Sequence, residues 1–155
     1  MCSSDLVAGA ANLPRIAGMG QLDRPDLACE AEFKPSADRD ILSVDQTHAW
    51  PAGRVQMAQR TVIVDRNDAL LRLVDAMELG ESAVVTYRFH TPVKPEPLTG
   101  GLRLGDVDLS WEGELIWSAA PLADRDFGGE PLYRVELVTP APVLRAMQTF
   151  VFARR

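Results

Sequence analysis

Residues 61–90 read TVIVDRNDALLRLVDAMELGESAVVTYRFH. Two breaks, Asp65-Arg66-Asn67-Asp68 and Leu79-Gly80-Glu81, divide the stretch into three apolar runs. In the second run Leu71, Leu73, Asp75, Met77 and Leu79 alternate with Leu70, Arg72, Val74, Ala76 and Glu78. In the third, Val85, Tyr87 and Phe89 alternate with Val84, Thr86, Arg88 and His90. A period of two puts each set on one face of a strand. Short breaks with turn chemistry between such runs predict a three-stranded antiparallel meander. Each large apolar side chain on its inner face contributes roughly 1.5–3 kcal/mol when fully buried. A face this apolar needs a second layer to lie against.

The flanking sequence repeats the pattern in shorter pieces. Upstream, residues 7–21 carry Gly9, Pro14, Gly18 and Gly20 and read as loop, with a short strand around Arg15-Ile16. Residues 22–26 form a polar link, 27–34 a strand with one wet face, 35–40 a turn, and 41–45 another short strand. The loop 46–54 bears His48 and Trp50, and residues 55–60 lead into the central stretch as one long, bent strand. Downstream, residues 91–101 hold three prolines and predict a long loop. Residues 102–117 predict a small hairpin series, with pieces at 102–104, 107–111 and 114–116. Residues 121–131 read as loop, 132–138 as a strand, and 139–142 as a turn. Residues 144–153 alternate as a strand, with a short helix as the rival because 143–147 also suit one. No amphipathic helix of ten residues or more is visible. The expected fold class is all-β: an antiparallel β-sandwich of many short strands joined by hairpins and Pro/Gly-rich loops.

At 155 residues the chain is one domain or part of one. Its N-terminal MCSSDL looks like the translation of a sequencing-adapter end. Residues 1–6 are therefore expected to be a non-native tail on a truncated piece of a longer protein, with residues 7–155 as a single domain. The formal charge of −6 argues against a nucleic-acid partner, whose backbone demands clustered Lys and Arg. A local basic groove for an anionic polysaccharide stays open. Cys2 and Cys29 are too few for a disulfide framework, and no Cys/His spacing suggests zinc. There is no apolar run of the ~18 residues a membrane span takes, and no visible signal peptide.

No Ser/His/Asp set, phosphate-cradling loop or metal triad is present, so no catalytic residue, metal site or cofactor is expected. His48 and Trp50 are candidate sugar-groove contacts, with Trp50 stacking on a ring face; a Trp packed on the sandwich edge is the plainer alternative. Tyr87 lies in the apolar register of its strand and belongs to the core. Asp75 falls on the otherwise apolar side of its strand. A buried carboxylate there needs donors, and Arg60 or Arg88 from the flanking strands can supply them.

The order of these pieces resembles the C-terminal β region of the heparinase II/III-like polysaccharide lyases. Asn12-Leu13-Pro14-Arg15-Ile16-Ala17-Gly18 with Gln21 is similar to the family's His-Asn-x-Pro-x-Ile-x-Gly…Gln segment. Leu42-Ser43-Val44-Asp45-Gln46-Thr47 and Ala49-Trp50-Pro51 resemble its strand ending in Asp and the aromatic-Pro turn after it. Arg60 to Val64 and Leu73-Val74-Asp75 resemble its Arg…Asp hairpin, and Val85-Thr86-Tyr87-Arg88-Phe89-His90 its Phe-His strand. The resemblance covers most of residues 7–155. It implies a parent enzyme with an N-terminal helical toroid that cleaves uronate-containing polysaccharides by β-elimination. It adds Asn12 to the groove candidates and names an acidic polysaccharide and the missing toroid as partners. Ala11 stands where the family has His. Two rival expectations are a stand-alone carbohydrate-binding sandwich, with Trp50, Trp111 and Trp117 exposed on one face, and a protein-interaction module that uses an open sheet edge.

Overall fold

A computed structural model describes residues 12–22, 28–127 and 130–155. The tail 1–6, the loop before Asn12 and most of the link at 22–26 lie outside the described residues. The rest form twelve strands and a 3-10 turn at Thr47–Ala49. The strands are β1 (Arg15–Ile16), β2 (Glu30–Pro35), β3 (Arg39–Asp45), β4 (Val55–Asp65), β5 (Leu70–Ala83) and β6 (Val85–Thr91). After them come β7 (Glu96–Leu98), β8 (Gly101–Leu104), β9 (Val107–Trp111), β10 (Ile116–Phe127), β11 (Glu130–Val138) and β12 (Val143–Arg154). They build two antiparallel sheets, a smaller one in the order β1-β6-β11-β10 and a larger one in the order β2-β3-β4-β5-β12-β9-β8-β7. The fold is all-β and sandwich-like, as the two-residue rhythm predicts. The region 144–153 is strand, not helix.

The first hairpin of the central stretch forms as expected. β4 and β5 pair through Asp65↔Leu70, Val62↔Leu73 and Arg60↔Asp75. Leu73, Asp75, Met77 and Leu79 are all buried, so the predicted face is the inner one. The third run is not a meander strand. β5 continues through Gly80 to Ala83, and β6 joins the other sheet, between β1 and β11. Val84 alone separates the two strands, too little chain for a hairpin turn. The chain instead steps from one layer into the facing one, and β12 takes the free edge of β5.

Gly80 is therefore a place of close backbone approach rather than a turn. Its N–H donates to the Arg54 carbonyl at 3.0 Å, and a Cβ here would overlap the carbonyl of Gly53. Gly80→Ala is expected to destabilise the fold by about 1–3 kcal/mol, the usual cost of a backbone shift forced by one extra carbon. The urea unfolding midpoint measures it; an unchanged midpoint would mean that the 51–54 turn yields freely.

Prolines mislead the reading of 91–101 and 121–131 as loops. Residues 96–98 form β7 around Pro97, and β10 runs straight through Pro121 to Phe127. Ile116 opens β10 instead of closing a separate piece at 114–116. β2 likewise ends in Pro35. All three of these strands are sheet edges. An edge has one side without ladder bonds, so the missing proline N–H costs nothing there.

The core lies between the layers. Tyr87 and Phe89 of β6 meet Phe150 of β12 edge-on, with ring centroids 5.0 and 4.9 Å apart. Val85, Val135 and Leu137 of the small sheet and Leu102 and Leu109 of the large one are fully buried around them. Four strands cannot cover eight. In the cross-strand row Phe33–Leu42–Val62–Leu73–Phe150, Leu73 and Phe150 are buried, but Phe33 and Leu42 are open. Val64 and Leu71, one row further along the strands, are exposed as well.

Candidate functional site

Arg60 and Asp75 sit directly opposite each other on β4 and β5. Asp75 is 1% exposed, so its charge needs full compensation. Arg60 gives it in fork geometry: Nε donates to Oδ1 and Nη2 to Oδ2, both at 2.7 Å. The third guanidinium nitrogen, Nη1, donates to the backbone carbonyl of Asn12 at 2.6 Å. Asn12 Oδ1 then accepts the backbone N–H of His90 at 2.9 Å and lies 3.0 Å from His90 Nδ1. An oxygen that already accepts one N–H can only accept from Nδ1 as well. Nδ1 is thus the donor in this pair.

Arg88, the other expected partner of Asp75, points to the opposite face of the small sheet. There its Nε donates to Glu136 Oε1 at 2.7 Å, across the Arg88↔Glu136 pair of β6 and β11. Burial lowers the pKa of Arg88; Glu136 counteracts this, while the nearby Arg15 and Arg134 add to it.

Asn12, Arg60 and His90 stand at the mouth of a cleft of about 820 Å³ between the layers. Val62, Leu73, Phe89, Leu104 and Phe152 line its apolar walls, and Arg66 and Arg154 add charge to its lining. An apolar hollow of this size with a few convergent polar groups has the form of a ligand site.

The three groove candidates are not brought together. Asn12 lines the cleft, whereas His48 and Trp50 do not. His48 is exposed in the 3-10 turn. Trp50 is 4% exposed, and its ring is core material with no open face for a sugar. The turn that holds them is anchored by Asp45, whose Oδ1 accepts the Thr47 N–H at 2.8 Å. Hydrogen bonds from Thr47 keep that carboxyl below its ordinary pKa. Gln21 Nε2 donates to Gln46 Oε1 at 3.2 Å, and the Leu22 N–H to the Ala49 carbonyl at 2.7 Å. The segment 12–22 is thus tied to the cleft mouth at one end and to this turn at the other.

Tyr87 is 1% exposed, as its register predicts. Burial, with Asp75 nearby, raises the pKa of its phenol, which disfavours the phenolate that a base would need. Among the described residues no group of three or more His, Cys, Asp or Glu side chains is placed to hold a metal ion. No helix among them is long and apolar enough to cross a membrane.

His90 is the residue that periodicity undervalues. Its strand position suggests only a sheet margin, and its tie to Asn12 spans 78 residues of sequence. Only the pairing of β1 with β6 makes them neighbours. Comparison with protein-family models finds no matching family, and comparison with curated proteins finds no match.

Proposed function

We propose that this chain is the C-terminal β-sandwich portion of a heparinase II/III-like polysaccharide lyase. In this reading it supports a catalytic helical toroid and walls one side of the cleft that takes a uronate-containing glycan. The observation that carries the reading is convergence. Asn12, Arg60 with Asp75, and His90 come from three segments similar to that family, and they join in one hydrogen-bonded group of which Asn12, Arg60 and His90 line the cleft. The uncovered inner face at Leu42, Val64 and Leu71 supplies an apolar surface for a second domain to rest on.

β-Elimination needs a donor that neutralises the uronate carboxylate and a base within reach of the C5 proton. In the family these come largely from the toroid and from the His before Asn, where this chain has Ala11. Arg60 is already committed to Asp75 and Asn12, so its role is to hold the mouth of the cleft in shape.

The test is the ultraviolet absorbance of the conjugated, unsaturated uronate. The isolated chain is expected to give no signal on uronate polysaccharides. The same chain preceded by the toroid of its parent reading frame is expected to give one. Turnover by the isolated chain, or silence from the joined protein on every uronate glycan, would sink the proposal.

A stand-alone sugar-binding sandwich is less well supported, because its stacking platform is not assembled. Trp50 is buried, Trp111 is half-buried on β9, and Trp117 lies on β10 of the other sheet. The interaction-module reading does have a specific feature in its favour, the open edge at β2.

A further inference from the structure

Every residue of β2 is exposed, and Phe33 at its centre is 60% exposed. The hairpin to β3 fixes which backbone groups are free. The Ser36 N–H donates to the Arg39 carbonyl at 2.8 Å, and the register continues Pro35↔Asp40, Lys34↔Ile41, Phe33↔Leu42. Bonded and non-bonded pairs alternate in an antiparallel ladder, so Glu32 and Lys34 bond inward to β3. The N–H groups of Ala31 and Phe33, and the carbonyls of Ala31, Phe33 and Pro35, therefore point away from the sheet. The far side of β3 keeps the same alternation, since the Gln46 N–H donates to the Ala58 carbonyl of β4.

We propose that this edge pairs antiparallel with the same edge of a second copy of the chain, about a twofold axis at Phe33. Phe33 then exchanges both of its backbone bonds with Phe33 of the second copy. Each Ala31 N–H donates to the Pro35 carbonyl across the axis. Pro35 lacks a donor, so it ends the pairing without preventing it. Charge selects this register. Glu32 and Lys34 are each 63% exposed and bridge each other within one chain at 2.8 Å; in the paired edge each also faces its opposite across the axis. Moving the axis to Glu32 or to Lys34 would set like charges against each other at its centre. Phe33 also shares a row with Leu42 and Val62, so the contact carries the apolar stripe from one copy into the next and covers the exposed Phe33 ring. Lys and Pro on an edge usually discourage such association. Here the Lys has a complementary Glu in reach, and the Pro lies at the end of the paired segment.

Sedimentation velocity over a concentration series tests the proposal. A reversible dimer is expected. Glu32→Lys and Lys34→Glu should each raise its dissociation constant roughly tenfold, since each turns two attractive cross-strand pairs repulsive. The double exchange E32K/K34E restores opposite charges in this register and in neither shifted one, so it should return the constant close to that of the parent chain. Circular dichroism of the exposed-site variants checks that the fold is kept. A chain monomeric up to millimolar concentration would overturn the proposal, and so would a double exchange that binds as weakly as the single ones.

Discussion

Replacing Arg60 by methionine is expected to lower the unfolding free energy by about 3–5 kcal/mol, the cost of stranding one member of a buried ion pair. Total stabilities of domains are only about 5–15 kcal/mol, so this variant stands close to unfolding. The reason is specific to Asp75. It is 1% exposed, both of its oxygens accept from Arg60, and the other expected donor, Arg88, is bound to Glu136 on the other face of the small sheet. Urea unfolding measures the loss. The companion variant R60M/D75L removes the charge along with its partner and should recover most of the stability, because a well-packed apolar pair of similar volume is often neutral or better. A loss under about 1 kcal/mol in R60M, the value typical of an exposed pair, would mean that water reaches Asp75. The same variant frees the Asn12 carbonyl that Arg60 holds. The mouth of the cleft should then loosen at Asn12 and His90, read as faster amide exchange at the His90 N–H. That signal separates a positioning role from simple packing.

The parts of this fold that were legible are those set by periodicity. Leu73, Asp75, Met77 and Leu79 alternate because one sheet face is buried, and the same rule turns Tyr87 and Phe89 inward. The ionic partner of Asp75 could be narrowed to Arg60 or Arg88, because only neighbouring strands can reach it. Alternation says nothing about which sheet a strand joins. Val85, Tyr87 and Phe89 face a core in a meander and in a sandwich alike, so the step between layers at Val84 left no trace in the pattern. Pro97 and Pro121 carry the opposite lesson. A proline excludes a central strand, not an edge strand, and edges are known only once the strand order is known. The site was half legible for the same reason. Asn12 was a candidate through its surrounding motif, but its partner His90 depends on β1 and β6 lying side by side. Trp50 was a plausible sugar platform by residue type; the turn at Thr47–Ala49 carries it into the core instead.

Truncating Phe150 to alanine should cost about 3–5 kcal/mol, the range for a fully buried aromatic ring. Phe150 is 0% exposed and lies where the two layers meet. Across its own sheet it stands between Leu73 on one side and Trp111 on the other. Across the core it takes the edges of Tyr87 and Phe89 at 5.0 and 4.9 Å. Such aromatic pairs add roughly 0.5–1.5 kcal/mol each beyond the area they bury. The cavity would open beside the Tyr87 ring, whose hydroxyl has no hydrogen-bond partner among the described residues. Neighbours locked in cross-strand ladders collapse poorly into such a hole, which places the expected value at the upper end of the range. Phe152, one row toward the open end, is half-buried and keeps a ring contact with Phe89 at 5.4 Å. Its alanine variant should therefore lose clearly less. Guanidinium unfolding of both variants orders them. If F152A proved as damaging as F150A, the open end would be as tightly packed as the centre, and the cleft between the layers would be closed in solution.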